Sequence, residues 1–369
     1  MTLVSPEVRP TARPTWQEPR WIVQRDCPAD WSARLQRCEG GFFHSPPGLE
    51  FVAPSAEPVF AQLLRGDELV GVAAGVRSRC RLSFRPRHYY FPTLPALADG
   101  LQTDAVVADL ARTLRSYGAA DVIFDSFDAR WEPAAAAPGT TVRQEYLVSL
   151  ETPVSEYVGR WRRDHRRHLR DAMQANWTLR MLEGEDARRV LHEVFAAANR
   201  RATTRGDAFT VAMPTAAIGS PAPALTAAWG TQVFSAWDRD TPLAAVLVGW
   251  ANGDAYTLES GSTVEGYRCS ASVWLHWRIL NLLAEHGFKS CRLGGTTASA
   301  ARPKTRPTGC FCSRPVSAPR SYAAGGPGAP SIAPIWASTA SSPGLAGNYG
   351  ARNPLRRSIR SGGRCPIAT

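Results

Sequence analysis

The chain has 369 residues, of which 44% are hydrophobic and 20% are charged, with a formal net charge of +11. This composition can build a core and excludes a wholly disordered or fibrous protein, and no run of eighteen apolar residues is present that could span a membrane. Ten basic residues and no acidic ones fall within 302–369, so the rest of the chain is nearly neutral. The excess charge therefore gives no global argument for a nucleic-acid partner.

The first part of the chain predicts a lobe over 20–152, after a Pro- and Arg-rich lead-in at 1–19. The lead-in has no apolar signal segment, so we expect a cytoplasmic protein. Alternating apolar residues and turn signals predict the elements of this lobe: a strand at 20–25, a helix at 30–39, a hairpin at 57–79, a helix at 103–118, and strands at 121–127 and 142–151.

The second part predicts another lobe over 153–300, with a denser run of elements. In chain order these are a helix at 153–174, a strand at 177–183, a long helix at 185–206, strands at 231–238, 242–251 and 255–262, a helix at 271–287, and a strand at 290–295. Tight turns between the three central strands favour a mixed, mostly antiparallel sheet. The predicted fold class is therefore α/β in the broad sense, with the mostly antiparallel strands of an α+β fold. The first lobe has a similar but degraded order, which predicts two copies of one fold.

Four segments of the second lobe resemble the GNAT acyltransferases, in the FemAB-like and BioF2-like branch. They are RWRRDHRRHLRDAM, PLAAVLVGWANGDAYTLESGS, EGYRCSASVWLHWRILNLLAEHGF and CRLGG, and their order and spacing carry the resemblance. FFHSPPGLEF and VRQEYLVSLE are similar to the N-terminal half of the same branch. The resemblance implies a duplicated acyltransferase fold, with acetyl-CoA or another acyl-CoA as donor and a small-molecule or lipid-linked amine as acceptor, as in bacterial cell-envelope pathways.

The turn that opens the helix at 271–287 is the predicted coenzyme A site. Free amides at a helix start can hold a pyrophosphate, and small residues let phosphate approach the backbone. The residues assigned to this role are Gly266, Arg268, Ser270, Ala271 and Ser272. The alternative is an ordinary helix cap by Ser270. No zinc-protease, P-loop or dinucleotide motif is present, so no metal site is predicted.

An arginine-rich segment within the helix at 153–174 is the predicted site for substrate phosphates. Helical spacing places Arg163, Arg166, Arg167 and Arg170 on one face, where four guanidinium groups can bind a polyphosphate or a nucleotide-linked or lipid-linked substrate. The alternative is a solvated basic face without a specific ligand.

Glu259 is the candidate general base. Transfer from a thioester to an amine needs a group that takes the ammonium proton. Glu259 lies on a predicted central strand beside the apolar residues Tyr256 and Leu258, and partial burial there would raise its pKa. The alternative is an exposed strand glutamate.

The composition of residues 301–369 predicts a disordered basic tail, because this range is rich in Pro, Gly and Ser and poor in large apolar residues. The GNAT resemblance instead implies a further strand after residue 300. With suitable synonymous codons, GCFCSRPVSAPR in a shifted frame becomes LFLFKAGFGAK, the strand ending that this family has. A frameshift is therefore our hypothesis for the tail.

Two other functions stay open at this stage. A FemAB-like enzyme would take an aminoacyl group from a charged tRNA, and the arginine-rich helix would contact that donor. A nonenzymatic protein would bind polyanions or nucleic acid through the same helix and the basic tail, with a steep salt dependence.

Overall fold

The protein is described here by a computed structural model. The structure describes residues 18–78, 87–98, 101–127, 142–204, 224–297, 314–319 and 322–323. Within them the chain forms two mixed sheets, each flanked by helices. The α/β architecture of two lobes predicted from the sequence is confirmed. The predicted lead-in at 1–19 lies almost wholly outside the described residues.

The first sheet belongs to the N-terminal lobe and has the strand order β1-β2-β3-β4-β6-β14, with β5 paired to β3. Its pairs are antiparallel except for β4 and β6. The strands are β1 (Arg20–Gln24), β2 (Glu57–Arg65), β3 (Glu68–Arg77), β4 (Arg87–Phe91), β5 (Ala96–Leu97), β6 (Ala119–Phe124) and β14 (Tyr322–Ala323). The helices of this lobe are α1 (Trp31–Arg37), α2 (Pro46–Val52) and α3 (Thr103–Ser116), with a 3₁₀ turn at Phe42–His44.

The second sheet has the strand order β13-β7-β12-β11-β10-β9-β8. Its strands are β7 (Val142–Ser149), β8 (Thr178–Leu182), β9 (Trp229–Asp238), β10 (Thr241–Ala251), β11 (Asp254–Ser262), β12 (Ser290–Thr297) and β13 (Arg314–Pro319). The helices of this lobe are α4 (Val154–Gly159), α5 (Arg163–Met173), α6 (Gly184–Thr204), α7 (Val264–Arg268) and α8 (Ala271–Glu285). β7 was predicted as the end of the first lobe, but it pairs with β12 in the second sheet.

Central strand β10 shows how the second lobe is layered, because its side chains alternate between two cores. Val246 and Val248 pack in the core that contains α8, together with the helices α4 and α5. Ala245 and Leu247 pack on the opposite face, in the core that contains α6. Both faces of the sheet are therefore covered, and β10 is buried over nearly its whole length.

The first lobe completes the cover of the α6 face. Phe42 packs with Tyr256 of β11, with ring centres 5.9 Å apart, and Phe43 packs against the same ring at 5.4 Å. Gly249 makes room for this contact, since a Cβ there would lie 2.6 Å from the Phe42 ring. Beyond the rings, the Asn252 amide donates hydrogen bonds to the carbonyls of Leu35 and Gly40.

The single helix predicted at 153–174 is wrong, because the structure has two helices there. α4 ends at Gly159, and Arg162 has an extended ψ of 149° just before α5 begins. Trp161, between them, is 3% exposed and packs edge-on against Tyr157. In a continuous helix Trp161 would share a face with the buried residues Tyr157 and Ala172, so helical periodicity gives no sign of this break.

Most of the range 301–369 lies outside the described residues, so the tail and frameshift hypotheses stay predictions. The described residues of that range form β13, antiparallel to β7, and β14, antiparallel to β6. A strand at the β13 position is the element that the GNAT resemblance implied after residue 300.

The contact between Gly249 and Phe42 yields a stability prediction. Gly249→Val should lower the free energy of unfolding by about 1–3 kcal/mol, because the new side chain overpacks the interface. Gly159→Ala is the control, since a Cβ there meets nothing within 4 Å and should leave stability unchanged or slightly raised. Urea denaturation measures both variants, and equal stability of the Gly249→Val protein and the wild type would contradict the proposed fit.

Candidate active site

The site is built where two parallel strands separate. β11 and β12 pair only at Asp254–Tyr256 with Ser290–Arg292. Gly294 then takes a φ of +90°, a conformation that favours glycine, and β12 continues only along β7. Among the described residues, no strand pairs with this edge of β11 after Tyr256. Its free N–H and C=O groups form one wall of an opening in the sheet.

A β-bulge in β11 lies inside this opening. Leu247 of β10 is opposite Glu259 and Val248 is opposite Thr257, so Leu258 is the extra residue. Directly opposed residues share a face of a sheet, which places Glu259 on the face of Leu247, toward α6. Bulges commonly re-aim a side chain next to an active site, and here the bulge turns Glu259 to the same face as Tyr256.

The Glu259 carboxyl group is partly withdrawn from water. The side chain is half-buried, and its Oε2 atom is fully buried without a hydrogen-bond partner. Burial disfavours the ionised form and raises the pKa of Glu259 to about 7. A carboxyl group with such a pKa is ready to take a proton near neutral pH. The alternative of an exposed strand glutamate does not hold.

The predicted coenzyme A residues lie at α7 and at the start of α8, which packs on the opposite face of the sheet. Gly266 differs from the prediction in its role. Its N–H already donates to the Thr263 hydroxyl at 3.0 Å, and a Cβ there would lie 1.9 Å from the carbonyl oxygen of Leu243. Gly266 thus allows α7 to pack closely on β10.

The other four members of this group surround the first turn of α8. Arg268 is exposed and lies 3.8 Å from Glu265. Ser270 adopts a left-handed φ of 61°, and its hydroxyl makes no capping hydrogen bond, so it is not the ordinary side-chain cap. Ala271 and Ser272 are the first helical residues, whose amides have no carbonyl one turn earlier to bind.

The four predicted arginines, Arg163, Arg166, Arg167 and Arg170, are exposed on α5. The opposite side of the helix buries Leu169 and Ala172 against the core that contains α8. Asp164 pairs with Arg162 at 3.0 Å, and within the described residues none of the four arginines forms an ion pair. These described residues therefore form a basic face without internal counter-charges, and the role of this face in binding phosphates remains a prediction.

Arg292 and Phe42 are the residues at this site that sequence reasoning missed. Arg292 is buried on β12 beside Tyr256, although it reads as an ordinary residue within CRLGG. Phe42 comes from the other lobe, and only tertiary packing brings it to β11. A charged residue in a predicted central strand was the available signal for Arg292, because such residues are rarely buried without a partner.

Residues 159–301 match the acetyltransferase (GNAT) domain family. These residues carry a GNAT-type acyltransferase domain. The protein is therefore an acyltransferase enzyme, and the domain implies an acyl-CoA donor. No match was found among curated protein sequences.

Three solved structures that match this chain do so at low sequence identity. The crystal structure of FemX has a TM-score of 0.51 at 11% identity, covering 73% of this chain and 89% of FemX. A tandem GNAT protein from the clavulanic acid biosynthesis pathway has a TM-score of 0.44 at 10% identity, covering 84% and 99%. The C-terminal domain of a putative lysylphosphatidylglycerol synthetase from Agrobacterium fabrum has a TM-score of 0.42 at 14% identity. This match covers 68% of this chain and 80% of that domain's chain.

The raised pKa of Glu259 predicts a pH-dependent cost to stability. Since the folded pKa of about 7 exceeds the ordinary value of 4.5, the folded state holds the proton more tightly, and stability falls as pH rises between these values. Glu259→Gln should be more stable than the wild type above pH 7, by up to about 3 kcal/mol, and should lose this advantage near pH 4. Thermal unfolding across pH measures the difference, and a pH-independent offset would contradict it.

Proposed function

We propose that the protein transfers an acyl group, acetyl in the simplest case, from coenzyme A to an amine of a cell-envelope or polysaccharide precursor. The observation that carries this proposal is Glu259, a carboxylate with a raised pKa beside a gap between two parallel strands. The gap is open on the β11 edge, where backbone groups can bind an extended thioester chain. The uncapped first turn of α8 offers amides for the donor phosphates.

Glu259 acts as the general base in this proposal. The acceptor arrives as an ammonium ion, and the carboxylate takes its proton to leave a free amine. The amine nitrogen then attacks the thioester carbonyl carbon, the C–N bond forms, and the C–S bond breaks. The leaving thiolate takes up a proton, so no covalent intermediate with the protein is required.

The pH dependence of turnover tests this role. With Glu259 as base, kcat/KM for acetyl-CoA and an accepted amine should rise tenfold per pH unit below about 7 and level off above it. Glu259→Gln should lower kcat by about 100-fold or more and abolish this rise. Glu193→Gln is the control, since Glu193 is exposed on α6 and belongs to no proposed site. A Glu259→Gln enzyme with the wild-type profile would remove Glu259 from the mechanism.

The aminoacyl-tRNA-dependent reaction is the second candidate, favoured by the basic face of α5. Heat protection separates the two donors, since a ligand that binds only the folded state raises its stability. Protection by coenzyme A supports the first proposal, and protection by charged tRNA alone supports the second. Retention of RNA that is steeply salt-dependent, without any transfer activity, would instead support a nonenzymatic polyanion binder.

The basic face of α5 is proposed to bind phosphates of the donor or acceptor. Arg166→Ala with Arg167→Ala should raise KM by about tenfold or more at low salt, with a smaller effect at high salt, because the contacts are exposed and screened. Arg188→Ala with Arg189→Ala on α6 is the matched control, because these exposed arginines pair with Glu185 and Asp186. Steady-state kinetics over a salt series measure the effect, and unchanged kinetics in the α5 variant would end this assignment.

A further inference from the structure

Arg292 lies at the point where β11 and β12 separate. It is the last residue of β12 that pairs with β11, opposite Tyr256. Its guanidinium carbon is 5.7 Å from the centre of the Tyr256 ring, so both side chains project from the same face. Only 8% of Arg292 is exposed, which is unusual for an arginine.

The buried guanidinium group lacks an anionic partner. Its Nε atom is buried and has no hydrogen-bond acceptor, and no carboxylate of the described residues lies within ion-pair distance of it. Glu145 is buried on neighbouring β7, two residues from the Leu147 that pairs with Arg292 and therefore on the same face, but it forms no ion pair with Arg292. A buried charge without a partner is costly, so a bound anion would repay part of the cost of placing an arginine here.

Arg292 and Glu259 flank one part of the site. Both lie on the face covered by α6 and by the Phe42 turn, as the cross-strand pairs show. Because of the bulge, Glu259 and Tyr256 lie opposite Leu247 and Gly249 of β10, which are two positions apart, or about 7 Å along a strand. A small amine that presents its nitrogen to Glu259 can therefore reach Arg292 with a second group.

The anion at Arg292 belongs to the acceptor rather than the donor. The predicted phosphate-binding residues at the start of α8 lie on the opposite face of the sheet. An anion on the α6 face therefore comes from the molecule that supplies the amine.

We propose that Arg292 binds an oxyanion, a carboxylate or phosphate group of the acceptor amine, and so selects acceptors that carry both an ammonium and an oxyanion. This inference rests on the proposed function and specifies its acceptor class. An arginine is suited to it, because its planar guanidinium binds either oxyanion through two hydrogen bonds.

The test uses amines in matched pairs that differ in one oxyanion. Glycine is compared with glycinamide for the carboxylate, and O-phosphoethanolamine with ethanolamine for the phosphate. Binding of each amine at millimolar concentration is measured by calorimetry without donor, and kcat/KM is then measured with acetyl-CoA. We expect one oxyanion-bearing member to exceed its neutral partner by about tenfold or more, and the better pair identifies the oxyanion.

Variants assign that preference to Arg292. Arg292→Met should abolish it, whereas Arg292→Lys should keep the fold and retain part of it. Arg278→Met is the matched control, because Arg278 also lies 5.7 Å from an aromatic ring but is exposed. It should keep the full preference.

Several results would overturn the assignment. The wild-type protein alone tests the proposal, whether or not Arg292→Met folds. The proposal fails if no oxyanion-bearing amine binds the wild type better than its neutral partner does. It also fails if the folded Met variant keeps the preference, or if that variant loses only affinity for coenzyme A. Binding without transfer would contradict the proposed acyl-CoA reaction while leaving the Arg292 assignment supported.

Discussion

The separation of β11 from β12 is the constraint on which the rest of the active lobe depends. Three residue pairs join these parallel strands, after which Gly294 directs β12 onward along β7. A sheet opened in this way leaves backbone N–H and C=O groups without partners in a buried layer, which lowers stability. A ligand that supplies the missing hydrogen bonds offsets this loss. The bulge at Leu258 acts in the same place, because it turns a carboxylate toward the opening.

The two faces of the second sheet do different work. The face of α8 carries a helix start without a side-chain cap and, beyond it, the basic surface of α5, so it is suited to phosphates. The face of α6 carries Glu259 and Arg292 beneath aromatic residues of the first lobe. Here desolvation governs the chemistry: it raises the pKa of a carboxyl group and leaves a guanidinium group in need of an anion.

Local patterns predicted most of the fold, whereas contacts across strands and lobes decided what was missed. The hairpin of β2 and β3, helix α6 and strands β9 to β11 follow from periodicity and turn residues, which operate over a few positions. The break at Trp161 does not, because it depends on a core assembled from distant segments. Glu259 was predicted from its apolar neighbours, but the bulge that aims it is a property of pairing with β10. Arg292 was missed because its burial arises from strand order.

The contact between the lobes also affects how the chain folds. Asn252 bonds to the carbonyl of Leu35, 217 positions earlier in the chain, and Phe42 finds its place only once Gly249 is in a strand. During synthesis the first lobe emerges long before the surface that covers these aromatic residues exists. Contacts of such high sequence separation slow folding and leave apolar side chains temporarily exposed. A nascent chain paused within the second lobe is thus the form of this protein in greatest need of a chaperone.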